Sequence, residues 1–169
     1  MSLVGFKANN HPQQVGRNGA DDEIDDRGTP QDFWHELDEK YHFTIDVAAA
    51  PHNAKCQTYY NRQENGLLQP WHGSVWCNPP YSGLDRWLEK AWFEWYRIGG
   101  PESIVMLLPA NRPEQPWWQT WVEPYRDIPG TGLTVRFLPG RLRFIKSGAT
   151  EIKPNERPPF GCCLVIWAR

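Results

Sequence analysis

The sequence predicts an α/β fold with a mainly parallel sheet and an antiparallel edge hairpin, in one compact domain. Short β-rich apolar segments at 43–48, Ser74–Cys77 and 103–108 alternate with stretches whose apolar residues recur at helical spacing. Strands that alternate with helices pair in parallel, because each crossover helix covers a sheet face. Two later apolar runs, 133–138 and 162–167, have no helical pattern between them and predict the antiparallel pair.

Taken in order, residues 1–28 are rich in Asn, Gln, Gly and Asp and carry an acidic run at 21–26, so they predict a disordered polar tail before a domain at 29–169. Thr29-Pro30 followed by Phe33, Trp34 and Leu37 predicts a helix capped by Thr29 with proline in its first turn. Segment 43–48 ends in small residues before Pro51, as a strand running into a loop does. Tyr59-Tyr60 is strand-like, and Glu64-Asn65-Gly66 reads as a turn. Ser74–Cys77 runs straight into Asn78-Pro79-Pro80-Tyr81; Trp87, Leu88, Ala91, Trp92 and Trp95 then form a helical face that Gly99-Gly100-Pro101 stops. The passage between 48 and 78 is short for a full crossover and predicts a helix missing or reduced to a turn. Segment 103–108 is a buried strand closed by Pro109, and Trp117, Trp118 and Trp121 mark a short helix between prolines, their rings expected in the core or a subunit interface in preference to packing against DNA.

Bulk properties narrow the function. A chain of 169 residues with ten Trp can bury a sizeable core, and a net charge of -2 confines any nucleic-acid contact to a local patch. No apolar run approaches the roughly 18 residues that span a bilayer, so a soluble, cytoplasmic protein with no membrane partner is expected. Cys56, Cys77, Cys162 and Cys163 form no CxxC pair, and neither a metal site nor a disulfide framework is expected. Metal-dependent hydrolysis lacks its clustered carboxylates or histidines.

The chemistry concentrates after the second strand. Ligands of open α/β sheets bind outside the carboxyl ends of the strands, where Asn78 and its neighbours fall. Asn78 and Pro79 each precede a proline, which holds them extended, and neither proline has an N–H to engage a nearby carbonyl. The product is a stiff pair of acceptors, the Asn78 side-chain oxygen and the Pro79 carbonyl, with the flat ring of Tyr81 beside them. An exocyclic amine of adenine is a poor nucleophile because its lone pair is delocalised. Two acceptors on its two hydrogens favour the pyramidal form that attacks a methyl group, which is electrostatic preorganisation. Asn78 is too weak a base to take the proton, which passes to solvent. The base must first leave the duplex stack, and Tyr81 offers a face for it.

On these residues the chain resembles the small phage-type DNA N6-adenine methyltransferases of the Dam class. The resemblance runs over about 29–167 and rests on Thr29-Pro30, on 45–49 with 53–56, on 65–67 with Trp71, on Asn78-Pro79-Pro80-Tyr81-Ser82 and on 137–144. It implies a Rossmann-like, S-adenosylmethionine-dependent methyltransferase fold, with Asn78, Pro79, Pro80 and Tyr81 as the catalytic segment. It implies that Asp46, Val47 and Ala48 form the cofactor loop, that Thr29 and Pro30 line the methionine end of the cofactor, that Asn78 borders it, and that Glu64 or Asn65 faces the adenosine. No GxG follows the strand, and Ala48, Ala49 and Ala50 stand in its place.

DNA contacts are expected from Tyr81 and Ser82 and from the basic stretch holding Arg136, Arg141, Arg143 and Lys146, with Arg112. The partner implied is adenine-containing DNA with the base flipped out; oligomerisation is compatible with the sequence but not predicted by it. The same tetrapeptide also serves methylation of RNA adenine or of a glutamine amide, and a non-catalytic nucleic-acid-binding module on a decayed methyltransferase fold is the remaining alternative.

Overall fold

A computed structural model describes residues 28–142 and 160–169. Helix α1 (Gln31–Tyr41) leads into β1 (Ile45–Asp46), and β2 (Ser74–Cys77) follows after an irregular crossover. A 3-10 turn (Tyr81–Gly83) opens α2 (Leu84–Tyr96), and β3 (Ser103–Pro109), α3 (Pro116–Trp121), β4 (Leu133–Phe137) and β5 (Cys162–Ala168) complete the order. The five strands form one sheet in the order β1-β2-β3-β5-β4.

Strands β1, β2 and β3 pair in parallel, while β5 pairs antiparallel with both β3 and β4. Strand β4 therefore runs with the first three, and β5 alone opposes them. The late pair is antiparallel as predicted, but its edge member is β4 and β5 lies inside the sheet. Burial explains the placement: β5 is buried from Cys162 to Trp167, whereas only Leu133 of β4 is. A strand buried on both faces belongs between neighbours, and the exposed Thr134 and Arg136 suit an edge.

Period-two alternation divides the core into two layers. Val75, Cys77, Ile104, Met106, Leu108, Cys163, Val165 and Trp167 face α2 and α3. Trp76, Val105, Leu107, Cys162, Leu164 and Ile166 face α1 through Trp34 and Leu37. Trp118 is buried, and Trp117 and Trp121 pack against the α2 layer, so the Trp-rich segment is core. Trp121 donates from Nε1 to Asp85 of α2, and Trp92 of α2 donates back to the Trp121 carbonyl, each at 2.8 Å. Cys77, Cys162 and Cys163 are buried apolar side chains, and Cys56 is half-buried.

Two local expectations change. The first strand is shorter than 43–48: its ladder is Ile45–Asp46, prolonged by backbone bonds from Thr44 to Ser74 and from Val47 to Trp76. Beyond Val47 the chain leaves the sheet to build a loop. Helix α1 starts after Pro30 with no side-chain cap, because the buried Thr29 turns its hydroxyl toward β2.

Between β1 and β2 the chain makes turns and no helix. Tyr59 adds a single parallel bridge to Asp46, which continues the sheet outward from β1. The crossover is held by Trp71, fully buried, whose indole N–H donates to the Gly66 carbonyl at 2.8 Å and whose backbone N–H donates to the Glu94 carboxylate at 3.2 Å. Polar bonds to α2 replace the packing that a crossover helix would have supplied.

Candidate active site

A cleft of about 640 Å³ opens at the carboxyl ends of β1 and β2. That volume lies within the usual range of small-ligand sites. Its lining joins the β1 loop (Asp46, Val47, Ala48, Ala49, Ala50), the crossover (Asn53, Lys55, Asn61, Asn65) and the segment after β2 (Asn78, Pro80, Ser82), with Thr29 at the head of α1.

Asp46 shapes the first wall. It is 3% exposed, and its two oxygens accept the backbone N–H groups of Ala48 at 3.2 Å and Lys55 at 3.0 Å. One carboxylate thus fixes both the loop leaving β1 and the segment around Lys55 that returns beside it. Burial raises its pKa to about 6 against the opposing pull of those two N–H groups and the Lys55 charge. A neutral amide offers only one acceptor oxygen to the same two donors.

The second wall approaches because of a glycine. A Cβ at Gly66 would overlap the Val47 carbonyl oxygen and touch Trp87, so only glycine lets the crossover pack onto the β1 loop. The residue before it, Asn65, takes φ 57°, a left-handed conformation that asparagine tolerates, and its Oδ1 accepts the Leu67 N–H at 3.1 Å. The close approach that a GxG would give in the β1 loop comes here from the other side of the cleft.

Asn78 occupies the junction of β2 and the 3-10 turn. Its Nδ2 donates to Thr29 Oγ1 at 3.1 Å. The amide nitrogen is engaged at the α1 side, which sets the oxygen on the opposite arm of a planar group. Among the described residues no N–H donates to the Pro79 carbonyl, whereas the Pro80 carbonyl accepts the Gly83 N–H at 3.3 Å. Pro79 is buried and Pro80 half-buried.

Of the residues the sequence singles out, Thr29, Asp46, Val47, Ala48, Asn65, Asn78, Pro80 and Ser82 meet at the cleft. Pro30, Glu64, Pro79 and Tyr81 lie outside its lining. Glu64 exchanges bonds with Asn61, accepting the Asn61 N–H and donating its own N–H to Asn61 Oδ1, both at 2.9 Å. Tyr81 packs into both core layers, with its ring 5.8 Å from that of Phe160. Arg112 is half-buried and pairs with Glu114 at 3.3 Å, and Arg136 and Arg141 are exposed away from the cleft lining. Arg143 and Lys146 lie outside the described residues, as do positions 1–27 of the expected tail; Gly28, counted with that tail, lines the cleft.

Sequence reasoning missed Lys55, Asn53, Asn61, Gly66 and Trp87 as lining residues. Asn53 and Lys55 fall within a segment that carries the family resemblance, so their signal was present but had no assigned role. Asn53 holds the loop by accepting the Ala50 N–H at 2.8 Å.

Fold and site define a mixed α/β protein with an open five-stranded sheet and an Asn-Pro-Pro-Tyr segment bordering a ligand-sized cleft. The chain belongs to the DNA N-6-adenine-methyltransferase (Dam) family, whose model matches residues 17–169. It is 35% identical over 100 residues to a DNA N-6-adenine-methyltransferase of Escherichia phage T1. That match covers 57% of this chain and 40% of the phage protein, so the chain spans less than half of that relative. Among the described residues no helix is long and apolar enough to cross a membrane.

Proposed function

We propose that this chain is an S-adenosylmethionine-dependent methyltransferase that modifies the N6 amino group of adenine in DNA, on a Rossmann-like sheet. The observation that carries the proposal is the position of Asn78: it directly follows the parallel strand β2, borders the cleft and is braced by Thr29. Family membership supplies the substrate class.

The residues present fit the donor. A zwitterionic nucleoside needs apolar wall, amide partners and charged groups. The cleft offers Val47, Leu67 and Trp87, then Asn53, Asn61 and Asn65, then Lys55 and Asp46. When bound, S-adenosylmethionine supplies an electrophilic methyl group. Thr29, Asp46, Val47, Ala48 and Asn65 would hold it, with Pro30 and Glu64 supporting the loops on which Thr29 and Asn61 sit.

Asn78 Oδ1 and the Pro79 carbonyl accept the two hydrogens of the adenine amine and localise its lone pair. Pro80 keeps that pair rigid, and Tyr81 anchors the turn below it. The base reaches the cleft flipped out of the duplex, past Ser82 at the rim. Arg112, Arg141, Arg143 and Lys146 supply phosphate contacts, which carry affinity rather than sequence information. The proton leaves to solvent after transfer, because no strong base adjoins Asn78 in the proposed set.

Labelled S-adenosylmethionine incubated with adenine-only and cytosine-only DNA tests the reaction directly: label should enter the first substrate alone. Asn78→Ala should lower the transfer rate by roughly a hundredfold or more, with the fold and donor affinity retained. Wild-type turnover in that variant would remove Asn78 from the chemistry.

A further inference from the structure

The cleft contains a cation that neither the fold nor the proposed transfer step uses. Lys55 lines the wall beside the β1 loop and is half-buried. Its backbone N–H is tied to Asp46 Oδ2 at 3.0 Å, so the residue is placed by the same carboxylate that shapes the loop. Its ammonium donates to Gln31 Oε1 at 2.8 Å. Gln31 begins α1, two positions after Thr29, whose hydroxyl takes the Asn78 amide. Lys55, Thr29 and Asn78 line one side of the cleft, and the exposed Gln31, just outside that lining, ties the Lys55 head to α1.

An ammonium has three donors and a full charge. Among the described residues Lys55 has one acceptor, a neutral amide oxygen, and no carboxylate within ion-pair distance. The Asp46 carboxylate is committed to two backbone N–H groups. Burial lowers the Lys55 pKa, and the Asp46 charge opposes that shift. A half-buried cation in the cleft lining with donors to spare is suited to an anion.

We infer that Lys55 recognises the α-carboxylate of the donor's amino-acid tail, placing that tail along the side lined by Lys55 and Thr29 so that the sulfonium lies next to Asn78. The inference rests on the methyl-donor reading above and adds the polarity of the bound donor. A DNA phosphate is the other anion that could meet this charge, but Lys55 sits within the wall that Asp46 shapes, whereas phosphates approach from the rim.

Two thioethers separate the outcomes in a binding titration that needs no turnover. S-adenosylhomocysteine keeps the carboxylate, and S-adenosyl-3-thiopropylamine lacks it while keeping the amine. The wild-type protein should prefer the acid by about ten- to a hundredfold, the range of a charge-assisted hydrogen bond. Lys55→Met, which keeps the apolar stem, should erase that preference and leave the amine analogue within about threefold of wild type. Lys55→Gln should do the same while preserving a polar head, and it decides the matter if the Met variant does not fold. A preference that survives in either folded variant overturns the proposal, as does an equal loss of both ligands in both variants, which would make Lys55 a builder of the loop. Weakened DNA binding with an intact preference assigns the charge to phosphate and also overturns it. If the wild-type protein binds neither thioether, the donor reading itself fails; if it binds both equally, only the role of Lys55 fails.

Discussion

One hydrogen bond joins the start of α1 to the end of β2, and it runs from Asn78 Nδ2 to Thr29 Oγ1. Local spacing made Thr29 a helix cap, because threonine before proline is how many helices begin. Its true partner is 49 residues away, and no local pattern encodes that. Thr29 is only 2% exposed, and among the described residues its hydroxyl accepts from Asn78. Thr29→Val keeps the shape and removes the acceptor. It should lower the catalytic rate about fivefold to tenfold, the worth of one ordinary hydrogen bond, with donor affinity, to which Thr29 also contributes, falling less. Thr29→Ser should stay near the wild-type rate. A Val variant whose main defect is weaker donor binding would instead place the hydroxyl against the donor's tail.

At the scale of elements, the crossover from β1 to β2 is where a helix is missing and polar bonds hold the chain. Glu94 is 1% exposed inside an otherwise apolar helix face. Its carboxylate accepts the Trp71 N–H, Lys90 Nζ and Arg97 Nε, and Arg97 donates onward to the Trp71 carbonyl. Burial is the largest single effect and raises its pKa, but those bonds together outweigh it and hold the pKa below the ordinary value. Removing one partner from a buried ionic cluster leaves the others uncompensated, at a cost of about 3 kcal/mol or more. Glu94→Ala should therefore lower the unfolding free energy measured by urea titration by about that amount, and Glu94→Gln, which can still accept the Trp71 N–H, should lose less. Equal stability of the Ala variant and wild type would show that the crossover is held by Trp71 burial alone. Lys90 and Arg97 at i-4 and i+3 were visible signs of such a cluster, but whether it sat at the surface or beneath Trp71 was not. The strands were legible because their apolar runs are unbroken, and the order along the chain hid only that β5 inserts between β3 and β4. The Asn-Pro-Pro-Tyr tetrapeptide was legible because its stiffness is local, whereas the glycine that closes the cleft, Gly66, works through Val47, a contact only the fold creates.

For the molecule as a whole, stability and the shape of the cleft respond together to pH through Asp46. Its pKa in the folded chain is about 6 against 3.8 for an ordinary aspartate, with burial the largest cause. A carboxyl whose folded pKa is raised favours folding most when protonated. Its contribution is complete below 3.8 and is lost as pH rises through about 6. The difference corresponds to about 3 kcal/mol across that window. Glu94 has the opposite sign: its pKa is lowered, so its contribution is present above 4.5 and falls away only in more acid solution. Between pH 7 and 5 Asp46 is therefore the group of the pair that titrates. Asp46→Asn removes this dependence and leaves one acceptor for the Ala48 and Lys55 N–H groups. Chemical denaturation at pH 7, 6 and 5 should show the wild type gaining stability relative to the Asn variant as pH falls. Donor affinity should fall over the same steps, because a protonated Asp46 holds the two loop N–H groups less well. A stability difference that stays flat from pH 7 to 5 would mean that the carboxyl ionises as an ordinary surface group, and that the loop is not built on a buried charge.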